Sequence, residues 1–167
     1  MNIFILDKNI ILSASYHCDK HVVKMITETC QILSTVYREV TKREIPDFIY
    51  KATHKNHPCV KWCRESRSNF IYCIHLGFEL YNEYQHRYNK PEKHKRNLQI
   101  LKFLNSKYIA LDLDGNGLTP FALAMPDKYK CDNAVEAYRE YYIGEKSHLF
   151  KWTKRPIPQW IKERIIK

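Results

Sequence analysis

Glycine and proline are scarce in this chain of 167 residues, with four of the first and seven of the second. That excludes collagen-like and low-complexity architectures. No apolar run approaches the roughly 18 residues that a membrane-spanning helix needs. The opening segment MNIFILDKNIIL is interrupted by Asp7 and Lys8 and has no basic leader or small-residue cleavage site. It reads as no signal peptide, so the expected compartment is the cytoplasm or the nucleus. There is no P-loop, no G-x-G-x-x-G and no G-x-S-x-G, which argues against nucleotide hydrolysis, dinucleotide redox chemistry and the α/β-hydrolase triad. The six cysteines (Cys18, Cys30, Cys59, Cys63, Cys73, Cys131) include no C-x-x-C pair. Cys30 and Cys73 fall inside apolar helical patterns, so buried reduced thiols are expected in place of a disulfide framework.

Acidic residues are the other shortage. Eighteen Asp and Glu stand against 28 Lys and Arg, a formal charge of +10, with a pI near 9.3. Such an excess points to a polyanionic partner, nucleic acid first, then a membrane surface or an acidic protein. With 44% hydrophobic and 28% charged residues the composition is globular, and the length suits one domain with its own core.

The pattern along the chain is helical. Val22, Ile26, Thr29, Leu33, Val36 and Val40 recur at spacings of three and four, predicting a helix from about Ser13 to Lys42. A second helical block runs from Pro58 to Asn89, with a break predicted near Ser66–Ser68 and a stripe of Phe70, Ile74, Phe78, Tyr81 and Tyr88. Pro91 suits the first turn of a third helix carrying Leu98, Leu101, Leu104 and Tyr108. A fourth is predicted from Val135 to about Phe150. Ile3–Leu6 is a short strand-like run, but no period-2 strand is convincing and no repeat occurs. The expected fold is all-α, a compact single-domain helical bundle with long loops.

Three features carry candidate chemistry. The polar residues His17, His21, Lys24, Glu28, Gln31 and Thr35 are spaced four, three, four, three and four, which makes one band opposite the apolar stripe. Asp19 and Lys20 lie near its start. A carboxylate among titratable cations suits general acid–base work or stabilisation of a developing positive charge, and a solvated helix face is the bland alternative. The i,i+4 pair His17/His21 has the spacing of two metal ligands, but H-E-x-x-H is absent, so no metal is assigned and a metal-dependent nuclease or hydrolase remains a competitor. The second feature is the basic loop His54-Lys55-Asn56-His57 ahead of Pro58 and Lys61, either a phosphate site at a helix start or a capping turn. The third is the tail from Lys146, with Lys151, Trp152, Lys154 and Arg155, where cations alternate with rings as suits phosphates and bases; docking to the core is its alternative. Glu79, Glu83, His86 and Arg87 share one face, chiefly as charge balancing. Asp112–Gly117 imitates the start of an EF-hand loop, but position twelve is Leu123, so a glycine-rich turn is expected.

The run Cys18-Asp19-Lys20-His21, followed seven residues after the histidine by Glu28, resembles the pyrimidine-dimer DNA glycosylases of the phage endonuclease V type. Asn56-His57-Pro58 leading into a helix with Phe70, Tyr72, Glu83, Tyr84 and Arg87 is similar to bacterial and viral relatives. Thr119–Trp160 resembles uncharacterised phage and large-virus proteins often given the same family name. The resemblance implies a compact all-α fold and base excision on double-stranded DNA, with no cofactor and with a monomer favoured; for a viral protein the compartment would be the host cytoplasm, nucleoid or nucleus. It implies attack on the sugar C1′ by the N-terminal amine, at Met1 or Asn2, with Glu28 assisting and His21 and Lys24 holding phosphates or the carboxylate. Strand cleavage by an AP-lyase step would follow. An α-amine is a weaker base than a lysine, which helps it act as a nucleophile. The family typically exposes Thr after loss of the initiator Met, whereas this chain begins Met1-Asn2, so water activated by Glu28 is the alternative nucleophile. His17, Lys20, Lys24, Gln31, His54, Lys55, Asn56, His57, Lys61, Arg87, Lys146, Lys151, Trp152, Lys154 and Arg155 are the expected DNA contacts. A non-catalytic nucleic-acid-binding accessory protein is the competing class.

Overall fold

A computed structural model of the protein describes residues 1–115 and 117–165. Its α-helices are α1 (Ile10–Tyr16), α2 (Asp19–Val40), α3 (Pro58–Glu65), α4 (Arg67–Tyr88), α5 (Lys95–Lys107), α6 (Ala134–Lys146) and α7 (Gln159–Ile165), with short 3-10 turns at Pro91–His94, Tyr108–Ala110, Asp127–Tyr129 and Ser147–Leu149. No strand occurs among the described residues, and the fold is all-α. No described helix is long and apolar enough to cross a membrane.

α2 lies at the centre and packs against α3, α4 and α5, while α1 packs on α4. Its predicted stripe is the core side: Val22, Ile26, Thr29, Leu33 and Val36 are all buried. The break predicted near Ser66 separates α3 from α4, because the Ser66 side chain accepts from the Asn69 N–H and caps α4. Asn89 in the left-handed conformation then ends α4. Pro91 opens a 3-10 turn, and α5 starts only at Lys95. All six thiols are free; five are buried and Cys131 is exposed. Asp112–Gly117 belongs to a loop in which Gly115 and Gly117 take positive φ, with Asn116 outside the described residues. Ile166 and Lys167 of the basic tail are also outside them.

The predicted single helix from Ser13 to Lys42 is two helices. His17 and Cys18 are extended, at ψ 134° and 163°. The Cys18 N–H goes to the Tyr142 hydroxyl at 2.9 Å and the Asp19 N–H to the Lys151 carbonyl at 2.8 Å. Partners from the far end of the chain thus replace the helical bonds these donors would otherwise make. Ile3–Leu6 lies outside any helix or strand and is fully buried in the core, and Asn2 just before it meets Glu28 on α2.

Candidate active site

Glu28 projects from the middle of α2, and its side chain is 13% exposed. Its Oε2 accepts from the Asn2 backbone N–H at 2.9 Å and lies 3.8 Å from the Met1 α-amine. Its Oε1 is 3.2 Å from the Lys24 ammonium, one turn earlier on the same helix. The carboxylate therefore has an ammonium on one oxygen and the chain terminus on the other. His57, at the N-cap of α3, takes the Cys59 N–H on Nδ1. Its imidazole is held below the usual histidine range by burial first, then by the Met1 amine and by His54, with Glu28 opposing. A neutral histidine beside the amine and the carboxylate is the consequence.

The site opens into a groove of about 480 Å³ whose lining includes Lys24, Glu28, Gln31, Tyr50, Lys93 and Arg96. A second groove of about 450 Å³, lined by Asp19, Lys20, Tyr84, Tyr88, Lys90 and Lys93, shares Val23 and Lys93 with it. Lys20, Lys24, Lys90, Lys93 and Arg96 thus follow one track past Glu28. The Arg96 guanidinium lies 4.2 Å over the Tyr50 ring, and its Nε donates to the Phe48 carbonyl. The Tyr50 hydroxyl donates to Asn97 at 2.8 Å, and Asn97 donates to Thr27 on α2. These bonds fix an aromatic face beside the carboxylate. A fixed carboxylate with an amine nearby, at the floor of a cationic groove, suits a reaction that develops positive charge next to a polyanion.

The model of the pyrimidine dimer DNA glycosylase family matches residues 1–96. The chain belongs to that family. No curated protein and no solved structure matches the chain with significance. The family match spans Asp19, Glu28, the His54–His57 loop and the Lys90–Arg96 segment, and it ends before α5 is complete.

Within this glycosylase-family chain the residues expected on one solvent-facing band part company. His17 is fully buried between α1 and α2, donating from Nδ1 to the Ser13 carbonyl at 2.7 Å, and so leaves the band. His21 is also buried, tilted against Phe4 at 4.9 Å and edge-on to Tyr142. Burial is the main cause lowering His17 to about 4 and His21 to about 3, so both are neutral near pH 7. No hydrogen bond joins His21 to Glu28 among the described residues. Nor do three His, Cys, Asp or Glu side chains gather there in a way that could hold a metal. Thr35 is buried and bonded to the Thr53 carbonyl.

Two further expected DNA contacts are likewise turned into the fold. The Arg87 side chain is fully buried, with Nη1 on Asp19 at 2.9 Å, Nε on Glu83 at 2.7 Å and Nη2 on the Ser15 carbonyl at 2.9 Å. At 2% exposure it lies beneath the surface. Arg155 closes the same cluster on Glu83 at 2.8 Å, and Thr153 gives Asp19 two more bonds. Burial acts to raise the Asp19 and Glu83 carboxyls, but those bonds outweigh it and hold both below their ordinary values. Trp152 is buried too, its N–H on the Tyr16 carbonyl, so this ring docks the tail to the core.

The remaining expected contacts stay at the surface. Lys20, His54, Lys55, Asn56, Lys61, Lys151 and Lys154 are exposed, Gln31 and Lys146 are half-buried, and Lys146 lies 5.1 Å over the Tyr141 ring. His54 and Lys154 both take positive φ. Sequence reasoning missed Tyr50, Lys90, Lys93 and Arg96. The signal was present in the dense basic run Lys90-Pro-Glu-Lys-His-Lys-Arg96, which leads into α5. Nothing in the spacing of Tyr50 points to the groove.

Proposed function

We infer that this protein releases a damaged or modified pyrimidine from double-stranded DNA, with the N-terminal amine as nucleophile and Glu28 as the catalytic carboxylate. One observation carries the reading: the Met1 amine at 3.8 Å and the Asn2 N–H at 2.9 Å converge on Glu28 Oε2. The amine lone pair attacks the sugar C1′, and the glycosidic bond breaks with its electron pair leaving on the base, which takes up a proton. Glu28 favours the positively charged sugar through which that bond breaks. It then accepts the surplus amine proton and delivers it to O4′ as the C1′–O4′ bond opens to the Schiff base. Loss of a C2′ proton expels the 3′ phosphate and cleaves the strand.

The duplex would lie along the track of Lys20, Lys24, Lys90, Lys93 and Arg96, flanked by the His54–Lys61 loop and the exposed lysines of the tail. Cations so arranged bind phosphates in a salt-dependent manner without reading sequence. His17, Arg87 and Trp152 support this surface from beneath and make no DNA contact.

The test is borohydride trapping on UV-irradiated duplex DNA. A covalent adduct is expected, with peptide mapping placing the DNA on the first residue of the purified chain. Base release without an adduct would replace the amine with water activated by Glu28. Failure to release any base from UV-irradiated, uracil-containing or otherwise modified duplexes would end the reading.

A further inference from the structure

The family match stops at residue 96, yet the groups that hold the N-terminus against Glu28 lie far beyond it. Asn2 is only 9% exposed. Its Nδ2 donates to the Ala124 carbonyl at 2.9 Å. Its Oδ1 accepts from the Ile3 N–H at 2.8 Å and from the Cys59 thiol at 3.5 Å, and lies 3.2 Å from the Tyr138 hydroxyl. Tyr138 is fully buried on α6. Its one hydroxyl proton is shared between the Ala122 carbonyl at 2.7 Å and Asn2 Oδ1 at 3.2 Å, and its oxygen is approached by the Ala124 N–H at 3.4 Å. The 122–124 segment and α6 therefore form one receptor, and both ends of the Asn2 carboxamide are engaged in it.

Packing alone would not call for an amide here, because a buried carboxamide costs free energy unless its polar atoms are bonded. What this amide fixes is its own backbone. The carboxamide and the Asn2 nitrogen are separated by two rotatable side-chain bonds, so clamping one end sets the other. That nitrogen is the donor 2.9 Å from Glu28 Oε2, and the Met1 amine is one residue away. An aspartate at position 2 would present an oxygen to the Ala124 carbonyl where a donor is needed.

We propose that Asn2 is a positioning residue and that Tyr138, with the 122–124 segment, is its receptor. The part of the chain outside the family match thereby sets the geometry between the terminal amine and Glu28. The proposal rests on the amine–carboxylate reading above.

Asn2→Asp and Tyr138→Phe in the full chain test it, since both leave the amine and Glu28 in place. Three quantities are compared with the unaltered protein: kcat and KM on UV-irradiated duplex, the thermal midpoint, and acylation of the α-amine by an acetyl N-hydroxysuccinimide ester without DNA. A loosened nucleophile should lower kcat by about tenfold and leave KM within about twofold. Acylation of the α-amine, relative to the lysines, should rise by about tenfold once the terminus is released, while the thermal midpoint moves by no more than a few degrees. Unchanged kcat and acylation in both variants would overturn the proposal. So would a fall in kcat with unchanged acylation, since that marks a general structural loss. Should the unaltered protein release no base while the variants still free the amine, the proposed function falls and the positioning stands.

Discussion

Two of the three carboxylates on α2, Asp19 and Glu28, sit among cations in contrasting surroundings. Asp19, at the start of the helix, is saturated: Arg87 and Thr153 supply its bonds, and Arg87 is itself buried and shared with Glu83. Glu28, nine residues on, keeps one face toward an open groove and has the chain terminus on its other side. The first arrangement joins the start of α2, the end of α4 and the tail through Thr153 and Arg155. The second leaves Glu28 lining a groove, where the proposed reaction would place the substrate. Saturation of bonding capacity, more than residue type or charge, separates the Asp19 ion cluster from the carboxylate to which the proposed function assigns the chemistry.

The largest effect that would break this contrast is at the saturated end. Arg87→Ala leaves Asp19 and Glu83 without their buried partner and should cost about 3–5 kcal/mol of folding stability. Urea denaturation at pH 7 measures it, and a loss under about 1 kcal/mol would mean the cluster behaves like an exposed ion pair.

The matching change at the open end is Glu28→Gln. It should slow base release by about 10²–10³-fold, or about 3–4 kcal/mol of barrier, and leave the urea midpoint close to that of the unaltered protein. Single-turnover release at saturating enzyme reads the first and denaturation the second. An unaltered rate would remove Glu28 from the chemistry, and a collapse in stability would make it a second Asp19.

The smallest effect per unit change is the response to acid. His17 is held at about 4 and His21 at about 3, chiefly by burial, against an ordinary value of 6.5. Between those limits the unfolded chain binds protons that the folded chain refuses. Stability should therefore fall as pH drops below about 6.5, by about 1.4 kcal/mol per pH unit for each histidine, and the loss ends near pH 4 for His17 and near 3 for His21. Asp19 and Glu83, held below 3.8 and 4.5, lose their contribution only at lower pH. A urea midpoint identical at pH 7 and 5.5 would show that these rings are not buried neutral.

Much of the frame was legible in the chain because it depends on near neighbours. The stripe Val22, Ile26, Thr29, Leu33 and Val36 is a matter of helical period. Ser66 ends one helix and caps the next through an N–H three residues away. The basic excess and the i,i+4 pair of Lys24 with Glu28 are likewise local. The family likeness carried by Cys18–Glu28 and by Asn56–Pro58 with the helix up to Arg87 lies within the region the family model matches, and the likeness of Thr119–Trp160 lies outside it.

Other features had no local signature. A helical wheel places His17, His21 and Thr35 opposite the apolar stripe, but it cannot know that Phe4, Tyr142 and Thr53 cover them. Arg87 reads like any basic residue near a helix end until Asp19, 68 positions earlier, is found on its guanidinium.

The sequence by itself determined the all-α class, the inward face of α2, the cationic balance and the i,i+4 pairing of Glu28 with Lys24. Periodicity, capping and net charge act within a few residues or over the whole composition, so they need no knowledge of the fold. Tertiary structure alone decided where the long helix breaks, since Tyr142 and Lys151 take the N–H groups of Cys18 and Asp19. It alone brought residue 2 to Glu28 across 26 positions, and to Ala124 and Tyr138 across 122 and 136. Those bonds exist because a buried terminus must satisfy its polar groups with whatever the folded core presents, and no spacing along the chain records that choice.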